Sequence, residues 1–202
     1  LNTGFELFFL NGGISARSDY FFSIIHDRIE KISGEPPMNI EEVVSQGVEN
    51  SLSCRSGRLW GIVDIELTLS YTYLRSRNHD DTPSDKINKG ELLELAPEHH
   101  FIADMRLAFT SGTSVNIWGY AMFNQVMYAM YARPYSSDAY STYYFEAVDV
   151  HNPVMFNVRI SQTVWGRFEV YVLCRNIFDD YNADPFNPGP GRMFYAGGNA
   201  RF

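Results

Sequence analysis

Apolar and polar residues alternate along most of this chain. In Phe101–Phe109 the odd-numbered positions are apolar, whereas the even-numbered ones include Asp104 and Arg106. Leu59–Tyr73 and Val154–Val164 repeat the alternation. A period of two is the repeat of a β-strand, whose successive side chains point to opposite faces of a sheet. The pattern therefore predicts long two-faced strands, and helical spacing fits none of these segments as well.

Nine strands are predicted, and the connections between them alternate in length. The strands are expected at about Thr3–Leu10, Ser15–Ile32, Glu41–Ser53, Leu59–Arg77, His99–Thr110, Ser114–Tyr131, Val148–Val164, Phe168–Asp179 and Met193–Phe202. Short turns that contain glycine are expected at Asn11–Gly13, Arg55–Arg58, Ser111–Thr113 and Trp165–Arg167. Longer links are expected at Ser33–Ile40, Asn78–His99, Ala132–Ala147 and Asp180–Arg192. Short turns at one end and long links at the other are the plan of an outer-membrane β-barrel, and a soluble sandwich has no reason to sort its loops in this way.

Strand length and strand number refine this prediction. A tilted strand crosses the apolar band of a bilayer with about 9–11 residues, and several predicted strands are longer than that. An up-and-down barrel closes with antiparallel neighbours only if its strand number is even. The fold class is therefore predicted as all-β, an antiparallel transmembrane β-barrel, with this chain forming part of a larger barrel. Phe, Leu, Val and Ile are expected to face lipid, and the lumen is expected to receive Asp64, Glu66, Asp104, Arg106, Arg159, Glu169 and Arg175.

Composition narrows the function classes. The chain has 202 residues and a net charge of −8, which argues against a nucleic-acid binder because a phosphate backbone requires an excess of Lys and Arg. No run of eighteen apolar residues is present, so a transmembrane helix is not expected. The sequence starts at Leu1 without a signal peptide, from which we expect either a removed leader or a start inside a longer protein. Cys54 and Cys174 lie on distant predicted strands, so no disulfide is expected between them.

The C-terminal stretch resembles the end of TonB-dependent outer-membrane receptors. The family's Asn-Leu-Phe-Asp-x-x-Tyr segment is matched by Asn176, Phe178, Asp179 and Tyr181, with Ile177 in place of Leu. Its Pro-Gly-Arg segment is matched by Gly191 and Arg192, followed by Phe194. Upstream, Gly47-Val48-Glu49, Leu69–Tyr73 and Ala96–His99 are similar to three further family segments in the same order. The terminal Phe202 resembles the signal by which the barrel-assembly machinery recognises its clients.

The resemblance implies a fold, a location and a function. It implies that residues 1–202 are about nine C-terminal strands of a barrel of 22 strands in the outer membrane of a Gram-negative type of cell, with short periplasmic turns and long extracellular loops. The implied function is TonB-coupled uptake of a scarce solute, such as an iron-siderophore, haem or a cobalamin-like corrinoid. The family's plug domain, through which TonB acts, is not visible in this sequence. The implied partners are TonB, outer-membrane lipid, the assembly machinery and a small-molecule ligand, with no cofactor and no nucleic acid.

Candidate ligand contacts lie in the long loops. His79, Asp80 and Asp81 carry groups that bind metals, although these residues alone favour a solvated acidic loop. Arg133 and Tyr135 combine charge with stacking and can hold an anionic or catecholate ligand, although an interfacial anchor is the simpler interpretation. We find no nucleophile elbow, zinc-binding spacing or phosphate loop, so an enzyme is not expected.

Two other function classes stay open at this stage. One is a small independent outer-membrane barrel that acts as a pore, an adhesin or a membrane enzyme. The other is a soluble antiparallel binding domain, whose aromatic faces would pack against a second sheet. The soluble alternative requires Leu67, Phe101, Met105 and Val158 to lie inside a compact core.

Overall fold

The computed structural model describes residues 1–30, 38–79, 90–132, 143–181 and 189–200, without side-chain detail for residues 28, 30, 38–41, 129–132 and 143–145. Eleven strands and a short 3-10 turn at Leu10–Gly12 are found in these ranges. No helix in the described ranges is long and apolar enough to cross a bilayer. The strands are β1 (Asn2–Phe9), β2 (Ile14–Glu30), β3 (Met38–Arg55), β4 (Val63–Asn78), β5 (His99–Phe109), β6 (Thr113–Phe123), β7 (Val126–Ala132), β8 (Tyr143–Asp149), β9 (Val154–Val164), β10 (Phe168–Arg175) and β11 (Met193–Ala200).

Nine of these strands form one antiparallel sheet, as the alternation predicts. Its order is β1-β2-β3-β4-β5-β6-β9-β10-β11, and β7 pairs separately with β8. Within the described residues, each strand contacts its neighbours in its own sheet, and β1 and β2 also contact the turn at Leu10–Gly12. β1 and β11 therefore each pair on one side only, and the sheet is an open single layer.

The four short turns lie at one end of the sheet, which we call the turn end, and the strand ends that lead into the long links lie at the other, the loop end. Two of the turns use a Trp-Gly pair in the left-handed region: Trp60 has φ of 50° before Gly61 at 69°, and Trp165 has φ of 51° before Gly166 at 68°. Such a pair of positive φ angles matches the twist of a tight hairpin. Because the turn is centred on Trp60, β4 begins at Val63 and not at the predicted Leu59.

Two predicted strands are divided in the structure. The predicted strand Ser114–Tyr131 is interrupted at Asn124, which has φ of 57°, and the predicted strand Val148–Val164 is interrupted before Val154. Pro153 lies at the second interruption, and proline cannot donate to a sheet ladder. The two interruptions face each other, since the Asn124 amide donates to Oδ1 of Asn152 at 3.0 Å. The outer hairpin β7–β8 is thereby set apart from the main sheet.

Strand register places apolar and polar residues on opposite faces. Leu67 pairs with Met105, Met105 with Ile117, and Ile117 with Val158, so all four lie on what we call the apolar face. The next positions, among them Glu66, Arg106, Asn116 and Arg159, lie on the polar face. The apolar face is open, since Phe101 is 43% exposed and Val172 is 56% exposed. In the described part of the chain no second layer covers these residues, which contradicts the soluble alternative.

The apolar face has the height of a bilayer core. β5 has 11 residues and pairs with Val63–Tyr73 of β4. Ten residue steps of about 3.3 Å, tilted by about 40°, rise by roughly 25 Å, the height of the apolar band of an outer-membrane barrel. Beyond Tyr73, the same face of β4 continues with Arg75 and Arg77. The band therefore ends where arginine replaces apolar residues.

Candidate functional site at the loop-end rim

The loop end carries most of the buried polar side chains of the sheet. Asn176 is 2% exposed, Asn78 is 3% exposed and Glu94 is 7% exposed, although the sheet itself is open. Polar groups are buried without penalty only where hydrogen bonds satisfy them. The loop end, which we call the rim, is therefore well ordered. Two separate hydrogen-bond networks, which we call knots, hold it together.

The first knot is centred on Asn176, directly after β10. Asn176 has φ of 53°, a conformation that Asn adopts more readily than most residues. Its Oδ1 accepts from the Asp180 amide at 3.0 Å, and its Nδ2 donates to the carbonyl oxygens of Asp180 at 3.0 Å and Pro190 at 3.4 Å. Its own amide donates to Oδ1 of Asn157 on β9 at 3.2 Å. The side chain thus closes the turn and joins it to the segment before β11, and the backbone amide joins it to β9, so β10 ends at Arg175 and not at the predicted Asp179.

Asp179 and Asp180 extend this knot in opposite directions. The Arg192 amide donates to Oδ1 of Asp179 at 2.6 Å, which brings the start of β11 close to the turn. Asp180 accepts from the Val154 amide at 2.9 Å and contacts Nε2 of His151 at 2.8 Å. A Cβ at Gly191 would lie 2.6 Å from the Asp179 carboxylate oxygen, so a larger residue there would displace the carboxylate that accepts from the Arg192 amide.

The two family-motif aromatics lie at the surface of this knot. Phe178 is 59% exposed and its ring meets that of Phe156 edge-on, with centroids 6.1 Å apart. Tyr181 is 52% exposed. The motif residues are thus brought together, and their geometry is that of a clamp between β9, β10 and β11.

The second knot ties residues 90–98 between β4 and β7. The Leu93 amide donates to the Ser76 carbonyl at 3.1 Å, and the Leu95 amide donates to the Val126 carbonyl at 2.9 Å. The Tyr128 hydroxyl donates to the Leu92 carbonyl at 2.7 Å. Leu93 has no exposed surface and Tyr128 is 3% exposed. These contacts make residues 90–98, which precede β5, part of the rim.

Burial raises the pKa of the Tyr128 phenol above its usual range, and the nearby carboxylates of Glu91 and Glu94 act in the same direction. The phenol lies on β7, beyond the apolar band. It therefore stays protonated and continues to donate to the Leu92 carbonyl at any physiological pH.

His79 is the one proposed metal-binding candidate that lies in the described residues. Its Nε2 is 3.9 Å from Oε1 of Glu42, whose Oε2 is 3.7 Å from Nδ1 of His26. In the described part of the chain, no group of three or more His, Cys, Asp or Glu side chains is arranged to hold a metal ion. Four other predicted contacts and the predicted assembly signal lie outside the described residues, namely Asp80, Asp81, Arg133, Tyr135 and Phe202.

An aromatic row crosses the apolar face below the rim. Register aligns Tyr20 with Val48, Tyr73, His99 and Phe123 in one line across five strands. The neighbouring Tyr71 hydroxyl lies 2.9 Å from Nδ1 of His99. Aromatic residues with a polar tip collect where apolar lipid meets water. Tyr71 and Tyr73 thus lie at this border of the apolar face, whereas Tyr128 is buried in the rim.

The polar face carries charges in pairs. Glu66 lies between Arg55 at 3.2 Å and Arg106 at 3.7 Å, beside a cavity of about 280 Å³ at the turn end. Arg159 pairs with Glu169, and its guanidinium carbon lies 4.3 Å from the centre of the Tyr171 ring. This paired arrangement suits a wall that faces water or a second polar body, as expected for a lumen.

Sequence reasoning missed several rim residues. His151, Asn157 and Asp180 cooperate with Asn176, and Glu94 cooperates with Tyr128. The Asn152-Pro153 pair was an available signal for the break beside the first knot. The second knot had no local signal, because Tyr128 is more than thirty residues from its partners Leu92 and Glu94.

The family model described as "TonB dependent receptor-like, beta-barrel" matches residues 1–177 of the chain. No curated protein matches the sequence. Solved structures resemble it in fold. The outer membrane transporter YddB from Escherichia coli is 14% identical, with a TM-score of 0.64, over 94% of this chain and 30% of that one.

Two further structures are similar along nearly the whole chain. The ferric-catecholate import receptor Fiu from Escherichia coli K12 is 16% identical with a TM-score of 0.68, over 100% of this chain and 27% of that one. The ferripyoverdine receptor of Pseudomonas aeruginosa is 12% identical with a TM-score of 0.63, over 98% of this chain and 26% of that one. The chain thus spans less than a third of the length of these proteins.

Proposed function

This chain belongs to the family of TonB-dependent receptor β-barrels, and from that membership we propose that it forms the C-terminal part of an outer-membrane receptor. The proposed activity is TonB-coupled uptake of a scarce solute, such as an iron-siderophore, haem or a cobalamin-like corrinoid. All of residues 1–202 then belong to the barrel wall. The plug domain, and the TonB contact that it mediates, belong to the rest of the receptor.

The two-faced open sheet is the observation that carries this proposal. An apolar face about 25 Å high suits contact with lipid, and paired charges on the other face suit a water-filled or plugged lumen. The unpaired edges of β1 and β11 favour a segment of a wider barrel rather than a small closed barrel, because an exposed strand edge is a template for further pairing. Assembly into the outer membrane then requires the assembly machinery, for which Phe202 is the proposed signal.

An iron chelate is the solute class that the comparisons favour. Two of the similar structures are a ferric-catecholate import receptor and a ferripyoverdine receptor. Arg133 and Tyr135 follow β7 on the loop side and have the chemistry for an anionic aromatic chelate. His79, Asp80 and Asp81 follow β4 on the same side. These five residues remain the proposed ligand contacts.

The proposal is tested by uptake in cells. We expect deletion of the gene that encodes this chain to slow growth under iron limitation, and the intact gene to restore growth only when TonB is active. Radiolabelled iron supplied as a catecholate chelate should enter cells that carry the intact gene. Normal iron-limited growth and unchanged iron uptake after deletion would contradict the iron branch. Restoration without TonB would contradict energised transport.

A matched pair of variants tests the ligand residues. We expect Arg133→Ala with Tyr135→Ala to lower uptake of the catecholate chelate without changing the amount of folded barrel. Arg167→Ala, at the tip of the β9–β10 turn on the opposite end, removes the same charge and is expected to leave uptake unchanged. Equal uptake by all three proteins would remove these two residues from the proposed site.

A further inference from the structure

Two methionines and a histidine lie together on the polar face near the loop end. Register pairs His100 of β5 with Met122 of β6, and Tyr120 of β6 with Met155 of β9. Alternate residues of a strand share a face, so all four lie on the same side of the sheet as Asp104. Both thioethers therefore belong to the side of the wall that carries charges, and they are half-buried there. A soft sulfur donor at such a position is available to a ligand in the lumen.

Ring contacts verify the orientation of His100. Its ring meets that of Tyr120 edge-on, with centroids 6.2 Å apart and planes at 75°. The preceding His99 points to the apolar face, where its Nδ1 lies 2.9 Å from the Tyr71 hydroxyl. Within the described residues, the imidazole of His100 makes no hydrogen bond and no ion pair. Its nitrogens are therefore available to a ligand, and the Tyr120 ring restrains the imidazole from one side.

The three donor groups lie within reach of a single ion. Met122 is directly opposite His100, and its amide donates to the Pro153 carbonyl at 3.0 Å. Met155, two residues beyond Pro153, is therefore the diagonal neighbour of Met122, about 7–8 Å away across the strand pair. β5 and β9 flank β6 and are roughly 10 Å apart. Because methionine is unbranched and adapts to irregular positions, both sulfur atoms and one imidazole nitrogen can converge above Met122.

The charges around this cluster favour a cation. Asp104 is exposed on the same face, and Glu98 lies two residues before His100. Neither carboxylate forms an ion pair within the described residues. Arg106 and Arg159 of the same face are each paired with a glutamate. The cluster thus borders uncompensated negative charge in this part of the structure, whereas an anionic ligand would require a free arginine.

We propose that His100, Met122 and Met155 bind a cuprous ion on the polar face of the wall. Thioether sulfur is a soft donor that selects Cu(I), and imidazole also suits copper. Zinc sites are built instead from thiolate, imidazole and carboxylate groups, and calcium and magnesium sites from oxygen. The inference rests on the proposed function only in taking the polar face as the wall of the lumen. It adds a bare metal ion as a second ligand, at residues separate from the five proposed contacts of the iron chelate.

The experiment uses the full-length protein that carries this chain, purified in detergent and kept reduced with ascorbate under nitrogen. Cu(I) is titrated in competition with bathocuproine disulfonate, a coloured chelator of Cu(I). We expect Met122→Leu with Met155→Leu to bind one equivalent of Cu(I) fewer than wild type, since leucine keeps the side-chain volume and removes the sulfur. His100→Gln should weaken binding by about tenfold or more, because even residues behind the ligands of a metal site commonly contribute that factor.

X-ray absorption by the bound copper identifies the ligands. In protein grown with selenomethionine, we expect a copper–selenium shell that is lost in the double methionine variant. This signal excludes any contribution from the thiols of Cys54 and Cys174. His99→Gln and Met105→Leu are the matched controls, since they change the same residue types on β5 but on the apolar face. Both should leave the Cu(I) affinity and the selenium shell unchanged.

Heat-modifiable migration on a gel verifies that each variant is folded, and Met155→Leu alone decides the test if the double variant does not fold. Equal Cu(I) affinity in wild type and the methionine variant, or no selenium shell in wild type, would overturn the proposal. Zn(II) bound as tightly as Cu(I) would overturn the assignment to a soft metal ion.

Copper binding and iron uptake are read separately. Iron-limited growth does not depend on these three residues in either proposal. A failure of Cu(I) binding with normal iron uptake would therefore refute this inference alone. Intact Cu(I) binding without any TonB-dependent iron uptake by the wild-type protein would refute the proposed function alone.

Discussion

Replacement of Asn176 by alanine should release the knot that joins β9, β10 and β11. The side chain makes two hydrogen bonds of 3.0 Å and one of 3.4 Å, and it is 2% exposed. Two good bonds and one long one contribute about 2–3 kcal/mol together. Alanine at the observed φ of 53° costs about 1 kcal/mol more, because Asn tolerates the left-handed region better. The expected loss in the free energy of unfolding is about 3–4 kcal/mol.

Asn11 provides the matched control for the backbone part of this loss. It has φ of 54° in the exposed turn at Leu10–Gly12, and its side chain makes no hydrogen bond within the described residues. Asn11→Ala should therefore cost about 1 kcal/mol and Asn11→Gly almost nothing. Asn176→Gly keeps the backbone conformation but loses the hydrogen bonds, so it should cost about 1 kcal/mol less than Asn176→Ala.

Stability is measured on the full-length protein as the folded fraction across a urea series, read by heat-modifiable migration. Amide hydrogen exchange of the peptide that contains Asp180 gives a local measure, since its amide donates to Asn176. We expect exchange to accelerate in Asn176→Ala and to stay unchanged in Asn11→Ala. Wild-type stability for Asn176→Ala, or a larger loss for Asn176→Gly, would refute the assignment of this side chain as the clamp.

Three further outcomes are expected. Gly47→Ala should destabilise the sheet by about 1–3 kcal/mol, because the new methyl group would overlap the Tyr73 carbonyl and lie 2.6 Å from the Phe21 ring. A urea series on the variant measures this loss. An unchanged urea midpoint would mean that the strands can separate at Gly47. Tyr128→Phe should cost about 1 kcal/mol through the lost bond to Leu92. Since the folded state raises the pKa of Tyr128, its contribution to stability is present below the usual tyrosine pKa of about 10 and is lost as pH rises from there through the raised pKa of the folded state. Tyrosinate absorbance at about pH 10 should therefore count the same number of titrating phenols in native wild type and native Tyr128→Phe, and one more in unfolded wild type than in the unfolded variant. An extra phenol that titrates at the usual pKa in the native wild type would contradict burial. Trp60→Asn should stabilise the turn by about 1 kcal/mol, because Asn-Gly suits positive φ better than Trp-Gly. A lower urea midpoint for this variant in bilayers would show that the exposed indole itself binds the membrane interface.

The sheet was predictable because its two faces meet different surroundings. Where one face must be apolar and the other polar, a shift of one residue exchanges the faces, so the sequence has to mark the register clearly. Leu67 and Met105 were predicted on one face and Glu66 and Arg106 on the other, as the structure shows. The short turns were predictable because they contain glycine. The turn before β4 is nevertheless centred on Trp60 and not on the predicted Arg55–Arg58.

The rim was only partly predictable. Asn176, Asp179, Gly191 and Arg192 were identified through a family resemblance, and their hydrogen bonds were not visible in any periodicity. The division between β6 and β7 was missed, because alternation continues through Asn124 and the left-handed backbone there depends on Asn152 across the hairpin.

Local patterns along the chain were enough to predict the strands, the two faces and the sorting of turns and links, because each of these follows from neighbours in the chain. Strand pairing then fixed which residues form the rim and where the apolar band ends. Tyr128 meets Leu92, and Glu42 meets His26 and His79, only after several strands have paired in register. Contacts between residues far apart in the chain depend on that register, and a local pattern carries no information about the partner on the other side.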